Sequence, residues 1–140
     1  MQPYRLEMGT HLANEYGKNL YDFWGDRVTN ALNPLLAKQK NPLLLNLASH
    51  EYFKVIKRVR LRAPIITPVF EDWTENARGG AYKIISFYAK RARGMMARYI
   101  IDHRIEDVQQ LKKFSQAGYA FSDSVSSEDT WVFRRAKSMP

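Results

Sequence analysis

Two groups of side chains in this sequence have types and spacings that could do chemistry. The first is cationic. From Ser86 to Arg104 the chain reads SFYAKRARGMMARYIIDHR, setting Lys90, Arg91, Arg93, Arg98 and Arg104 against one acid, Asp102. A merely solvated face mixes both signs of charge, so this excess points to an anion, with phosphate the obvious candidate. Gly94 and Ala97 lie among the cations and leave room for close approach, and Lys83 adds charge just upstream. A solvated basic face without a ligand is the competing reading. The second group is polar and aromatic: Asn46, Ser49, Glu51 and Tyr52, beside Phe53. It follows a short apolar run and opens a helical one, a junction where ligand pockets often form. Ordinary core packing of the aromatics is the alternative there.

Other familiar chemistry is missing from the sequence. His11, His50 and His103 never stand at metal-ligand spacing. His103 falls on the apolar side of its predicted helix and reads as a hydrogen-bonded core histidine. Ser49, His50 and Glu51 are adjacent, so they cannot face one another as a triad; Ser49 reads as a helix N-cap. Gly17-Lys18 lacks the rest of a phosphate loop, and no dinucleotide fingerprint occurs. With no cysteine there is no disulfide, thiolate metal site or cysteine nucleophile. No cofactor, metal ligand or catalytic residue is assigned on these grounds.

The elements that must position these groups follow from periodicity. Tyr4 to Met8 alternates as a strand. Leu20, Phe23, Trp24, Val28, Ala31, Leu32 and Leu35 mark one amphipathic helix from Asn19 to about Ala37, weakened by Gly25 and Pro34. Leu43 to Leu47 reads as a buried strand, followed by a helix from Ser49 to about Lys57. In KRVRLR, Arg58, Arg60 and Arg62 alternate with apolar residues, so an extended segment would put them on one side; a basic sheet edge or linker is equally compatible. Pro64 to Trp73 and Ala81 to Tyr88 read as a hairpin with a long turn, Pro68 signalling an edge or a bulge. Ala89, Ala92, Met95, Met96, Tyr99, Ile100 and His103 then form the apolar face of the basic helix. A short helix at Asp107 to Phe114 and strands at Tyr119 to Phe121 and Thr130 to Arg134 close the chain, with a loop from Ser122 to Asp129 expected to move. Hairpins with separate helices give an α+β fold with a mixed or antiparallel sheet.

Composition narrows the class further. The 140 residues carry 22 Lys and Arg against 14 Asp and Glu, a formal charge of +8, with 45% hydrophobic residues. That describes one folded basic domain, and the charge favours nucleic acid, then an anionic surface or a small anionic ligand. No run is apolar enough to span a bilayer, and MQPYRLEMG is no signal peptide; a cytoplasmic protein is expected.

Four motifs carry a resemblance across essentially the whole chain: MQPYRLEMG at Met1 to Gly9, NLYDFWGD at Asn19 to Asp26, NLASHEYFK at Asn46 to Lys54, and FYAKRARGMMARYI at Phe87 to Ile100. Together they resemble the bacterial peroxide-stress protein YaaA family, specifically its C-terminal half, so the chain is expected to be an N-terminally shortened version of that fold. The resemblance implies a cytoplasmic α+β protein with a positively charged cleft. It also implies protection from hydrogen peroxide, limitation of free iron, and binding of DNA, including distorted or branched forms. It supplies no catalytic mechanism. Within the matched motifs Lys90, Arg93 and Arg98 are carried over as cleft residues, with Arg5 and Lys54 as further candidates; Arg91 and Lys83 rest on charge alone. The expected function is DNA binding by phosphate contact in the peroxide response, recognising backbone and shape rather than base sequence. The alternative is an enzyme acting on a nucleotide or nucleic acid, with Glu51 and Ser49 beside the basic residues.

Overall fold

A computed structural model of the chain describes residues 20–136. The expected strand at Tyr4 to Met8, as well as Arg5, His11, Gly17 and Lys18, lies outside them. The chain divides into two compact units, the first ending at Ile65 and the second beginning at Ile66. Helices and a mixed sheet make it α+β, as the pattern of hairpins and separate helices predicts.

In the first unit the single predicted helix is two: α1 (Leu20–Trp24) and α2 (Arg27–Ala37). Gly25 breaks it with φ +53, a left-handed conformation that costs glycine little. Pro34, in contrast, is accommodated inside α2. β1 shrinks to Leu44–Leu45, its first residue donating to the Pro64 carbonyl at 2.9 Å. Ser49 caps α3 (His50–Phe53) by accepting from the Tyr52 N–H, but α3 ends four residues short of the expected Lys57.

The KRVRLR segment is not extended. Arg58–Arg60 forms a 3₁₀ turn, so Arg58, Arg60 and Arg62 do not line one side of a strand. Polar side chains of α2 and of Asp26, the residue before α2, hold the segment in that form. Buried Thr29 accepts the Lys57 N–H at 2.8 Å. Asn33 donates to the Arg60 carbonyl and accepts from the Arg62 N–H, at 2.8 and 2.9 Å. Asp26 pairs with Arg60 at 2.5 Å. These long-range bonds satisfy backbone groups that an extended segment would have offered to a neighbouring strand.

The second unit is built on a sheet. β2 (Ile65–Thr74) pairs antiparallel with β3 (Ala81–Lys83) and parallel with β5 (Thr130–Arg135), which in turn pairs antiparallel with β4 (Ala120–Phe121). The hairpin and the closing strand pair were legible; the parallel join between β2 and β5 was not. β5 runs along one side of β2 from Thr67 to Asp72 and β3 joins only from Asp72 on, so no β3 residue pairs with Pro68, an edge-like position for a residue without an N–H. Alternate residues Ile66, Pro68, Phe70 and Asp72 point to the buried face of β2. Phe70 stacks on its cross-strand partner Phe133 at 5.3 Å, and Phe114 and Tyr119 meet Phe70 edge-on at 5.9 and 5.3 Å. Burying each such ring stabilises the unit by about 1.5–3 kcal/mol.

The basic helix, α4, runs from Ser86 to Asp102, so Phe87 and Tyr88 are helical rather than the end of a strand. Ala89, Ala92 and Met96 form its buried stripe, and Tyr99 reaches the aromatic cluster edge-on to Phe114 at 5.5 Å. The helix stops through a left-handed residue, Arg104 with φ 47, the Ile105 N–H returning to the Ile100 carbonyl at 3.1 Å. His103 therefore caps the end of α4 and is exposed, its Nδ1 3.0 Å from the Tyr99 carbonyl. It is not a core histidine. Val108–Lys113 forms a 3₁₀ helix where a short helix was expected. The Ser122 to Asp129 loop is braced: Ser126 Oγ donates to the Ser122 carbonyl at 2.6 Å and accepts the Val132 N–H at 2.8 Å.

Candidate functional site

The exposed side of α4 is more ordered in its layout than its composition suggests. At 100° per residue, Phe87, Lys90, Arg91, Gly94, Arg98 and Ile101 fall in one stripe opposite Ala89, Ala92 and Met96, and all six are exposed. Phe87 is 71% exposed, and its ring is backed edge-on by Tyr88 at 5.7 Å. A Cβ placed on Gly94 would meet nothing within 4 Å. The centre of the stripe is therefore open, as the small residues among the cations imply.

The cations differ in their surroundings. Lys90 and Arg91 are exposed and have no carboxylate within 4.0 Å among the described residues. Arg93 is half-buried, and that burial lowers its pKa, since desolvation disfavours the charged form. It too lacks an acidic partner among the described residues. Arg98 is engaged, its Nε 3.2 Å from the Asp102 carboxylate one turn on. Lys83 is exposed at the end of β3.

The second group belongs to the first unit. Asn46 is buried and its Oδ1 accepts the Ala48 N–H at 2.9 Å. Ser49 is spent on its cap, at 3.4 Å. Glu51 is held from both ends: the Tyr21 hydroxyl lies 2.7 Å from its Oε1 and 2.7 Å from its backbone carbonyl, while Lys54 Nζ is 3.4 Å from Oε2. The Tyr21 bond and the nearby Lys54 hold the Glu51 carboxyl below its usual range. Burial and the adjoining carboxylate push the Tyr21 hydroxyl up to about 12. Tyr52 is 41% exposed and lines a shallow pocket of about 220 Å³ with Leu32, Leu44, Asn46, Phe53 and Ile56. Lys54, expected among the cleft residues, stands in this unit and leans on Glu51.

Sequence reasoning missed two polar arrangements. Tyr21 stands far from Glu51 in the chain, and no local pattern links them. In the second unit, Arg135 and Tyr119 both bond to buried Asp72; the folded β2 turns Asp72 inward, and its partners arrive from β5 and the turn before β4. Among the described residues no three His, Asp or Glu side chains gather as metal ligands, and no helix is long and apolar enough to cross a membrane.

Comparison with known proteins gives these features a setting. The profile of the family described as peroxide stress protein YaaA matches residues 1–125. A UPF0246 protein of Ralstonia nicotianae is 64% identical over 135 residues, which is 96% of this chain and 51% of that protein. A UPF0246 protein of Neisseria gonorrhoeae is 57% identical over 137 residues, 98% of this chain and again 51% of the relative. The chain spans about half the length of the curated relatives it matches. With the family profile matched over residues 1–125 and 96% of its length covered by a relative at 64% identity, the chain belongs to the peroxide stress protein YaaA family.

Proposed function

We propose that this chain serves the peroxide stress response in the cytoplasm by binding DNA through its phosphates. One observation carries the reading: Lys90 and Arg91 stand on the exposed stripe of α4 with no carboxylate partner among the described residues, around an open position at Gly94, and half-buried Arg93 on the flank of that stripe also lacks one. Unpaired cations beside space are arranged for an incoming anion rather than for internal pairing. The formal charge of +8 supplies long-range attraction to a polyanion, and Lys83 extends the contact. Such contacts carry no base sequence, so recognition is by backbone and shape. DNA held in this way is shielded from iron-driven oxidation, which links the binding to the family's stress role.

Fluorescence anisotropy with a labelled duplex and a four-way junction across a salt series tests the reading. Three neutralised phosphates predict a log–log salt slope near −2.7. A Lys90→Ala, Arg93→Ala double variant, folded by circular dichroism, is expected to bind at least tenfold more weakly. A salt-insensitive complex, or unchanged binding by the variant, would overturn it. Hydroxyl-radical cleavage with and without the chain tests the shielding, and equal damage in both would count against it.

The rival reading, an enzyme using Glu51, fits the geometry less well. A general base works best with a pKa near the operating pH, whereas Tyr21 and Lys54 occupy Glu51 and keep it ionised. Ser49 is engaged in capping. Glu51 acts as a brace between α1 and α3.

A further inference from the structure

The first unit holds a second concavity that the DNA reading does not use. Its volume is about 240 Å³, and its lining is His50, Phe53, Lys54, Ile56 and Arg58. Phe53 and Ile56 form a buried apolar floor. The remaining three are exposed and basic, and no carboxylate lines the space. His50 and Lys54 are one helical turn apart and come from the same side of α3.

Arg58 is placed with care. Its guanidinium carbon lies 5.1 Å from the centre of the Phe53 ring, a cation–π position that fixes the head over the floor. Its backbone turn is anchored on both flanks, by Thr29 to the Lys57 N–H and by Asn33 to the Arg60 carbonyl. Arg58 has no carboxylate within 4.0 Å among the described residues, and Glu51 draws on Lys54 only at 3.4 Å. Glu51 offsets part of the Lys54 charge, whereas Arg58 has no counter-charge among the described residues, so the lining stays net positive and an anion there relieves the repulsion.

We infer that this concavity binds a small phosphate monoester, its dianionic head among His50, Lys54 and Arg58 and its organic body against Phe53 and Ile56. A monoester suits the site better than a backbone diester. Its terminal group carries close to two charges and three free oxygens, matching three convergent donors, and Arg offers a fork to two oxygens at once. A diester inside a polymer offers one charge and two free oxygens. The apolar floor adds a reason for an organic ligand rather than a bare ion.

Titration of the ¹⁵N-labelled 140-residue chain with inorganic phosphate, with adenosine 5′-monophosphate, and with a DNA oligonucleotide lacking terminal phosphates tests the inference. The expected result is saturable shifts of the amides from His50 to Arg58 with both phosphates, tighter for the nucleotide. Arg58→Ala and Lys54→Ala are each expected to weaken binding about tenfold, the scale of one charge-assisted contact. Both side chains are exposed, so the variants keep the fold, which circular dichroism verifies. A Lys90→Ala, Arg91→Ala variant is expected to leave the phosphate titration unchanged, separating this site from the proposed DNA contact on α4. Absence of saturation, shifts spread over all basic residues, or indifference to Arg58→Ala would overturn the inference. So would an oligonucleotide that moves the same amides and displaces the nucleotide, because the concavity would then belong to a DNA surface.

Discussion

Arg135 and Asp72 face each other across the parallel β2–β5 register as a buried ion pair, with side chains 5% and 0% exposed. The Arg135 Nε donates to one Asp72 oxygen and the Tyr119 hydroxyl donates to the other at 2.6 Å. Arg135 also lies over the Tyr119 and Tyr88 rings, at 4.3 and 4.9 Å, and donates to the Ala117 carbonyl at 3.3 Å. One carboxylate thus ties together β2, β5, the turn before β4 and the start of α4. Asp72→Ala leaves a buried cation without its counter-charge, and a loss of about 3–5 kcal/mol is expected. The double change Asp72→Ala, Arg135→Met removes both charges and is expected to cost less than Asp72→Ala alone. Urea unfolding followed by circular dichroism gives both values; a loss below about 1 kcal/mol for Asp72→Ala would mean that water reaches Arg135.

The Tyr21–Glu51 bond sets two limits of pH. The Glu51 carboxyl is held below its usual range, so its contribution is complete at neutral pH and vanishes as pH falls through that lowered value. The Tyr21 hydroxyl moves the other way, from 10.0 to about 12, so stability falls as pH rises from 10 towards 12. Burial and Asp72 raise the Tyr119 hydroxyl as well, and it adds to the alkaline loss. Ultraviolet titration of tyrosinate is expected to show late-titrating groups, one of which disappears in Tyr21→Phe. If Tyr21→Phe leaves the curve above pH 10 unchanged, the bond to Glu51 is absent in solution.

Local patterns were enough for part of this. Two strand-like runs around a Gly-containing loop gave β2 and the start of its hairpin, the Ser49 cap began α3, and the three- and four-residue spacing of Ala89, Ala92 and Met96 gave the buried stripe of α4. What failed depends on distant partners. Arg58, Arg60 and Arg62 alternate as a strand would, yet Thr29 and Asn33 of α2 and Asp26 just before it claim the segment for a turn. His103 continues the apolar phase of α4 in sequence, but the left-handed Arg104 ends the helix beneath it. Charge counting identified the basic residues without showing that Arg98 is paired and Lys90 is not. The Asp72–Arg135 pair and the Tyr21–Glu51 bond join positions whose proximity only the fold creates.

Two glycines respond in opposite ways to the same methyl group. A Cβ on Gly80, where φ is +136, would stand 2.5 Å from the Trp73 ring and 2.8 Å from the Thr74 carbonyl. Gly80→Ala is expected to cost more than about 1 kcal/mol and to disturb Trp73 fluorescence, because both strain and overlap apply. Gly94 is helical and meets nothing, so Gly94→Ala is expected to gain up to about 1 kcal/mol from helix propensity. Thermal unfolding of the two variants checks the contrast. In the DNA assay Gly94→Ala separates stability from function: a stabler chain with weaker binding would mark Gly94 as the point of closest phosphate approach, and unchanged binding would put that contact elsewhere on the stripe.

Asp102 restrains the basic stripe. It holds Arg98 at 3.2 Å, and the two side chains are 76% and 50% exposed, so the pair itself contributes at most about 0.5 kcal/mol. Asp102 also places negative charge at the C-terminal end of α4, where the helix dipole disfavours it. Asp102→Asn is therefore expected to leave stability nearly unchanged while freeing Arg98 and removing a charge that repels phosphate. If α4 binds DNA as proposed, affinity at low salt rises two- to fivefold and the salt slope steepens by up to about 0.9, the share of one added phosphate contact. Arg98→Ala in the wild-type background is then expected to matter less than Lys90→Ala, because Arg98 gives up an existing partner to reach DNA. Anisotropy titrations of the three variants across one salt series decide the matter. Equal losses from Arg98→Ala and Lys90→Ala, with no gain from Asp102→Asn, would show that the Arg98–Asp102 pair is already broken in solution and imposes no restraint.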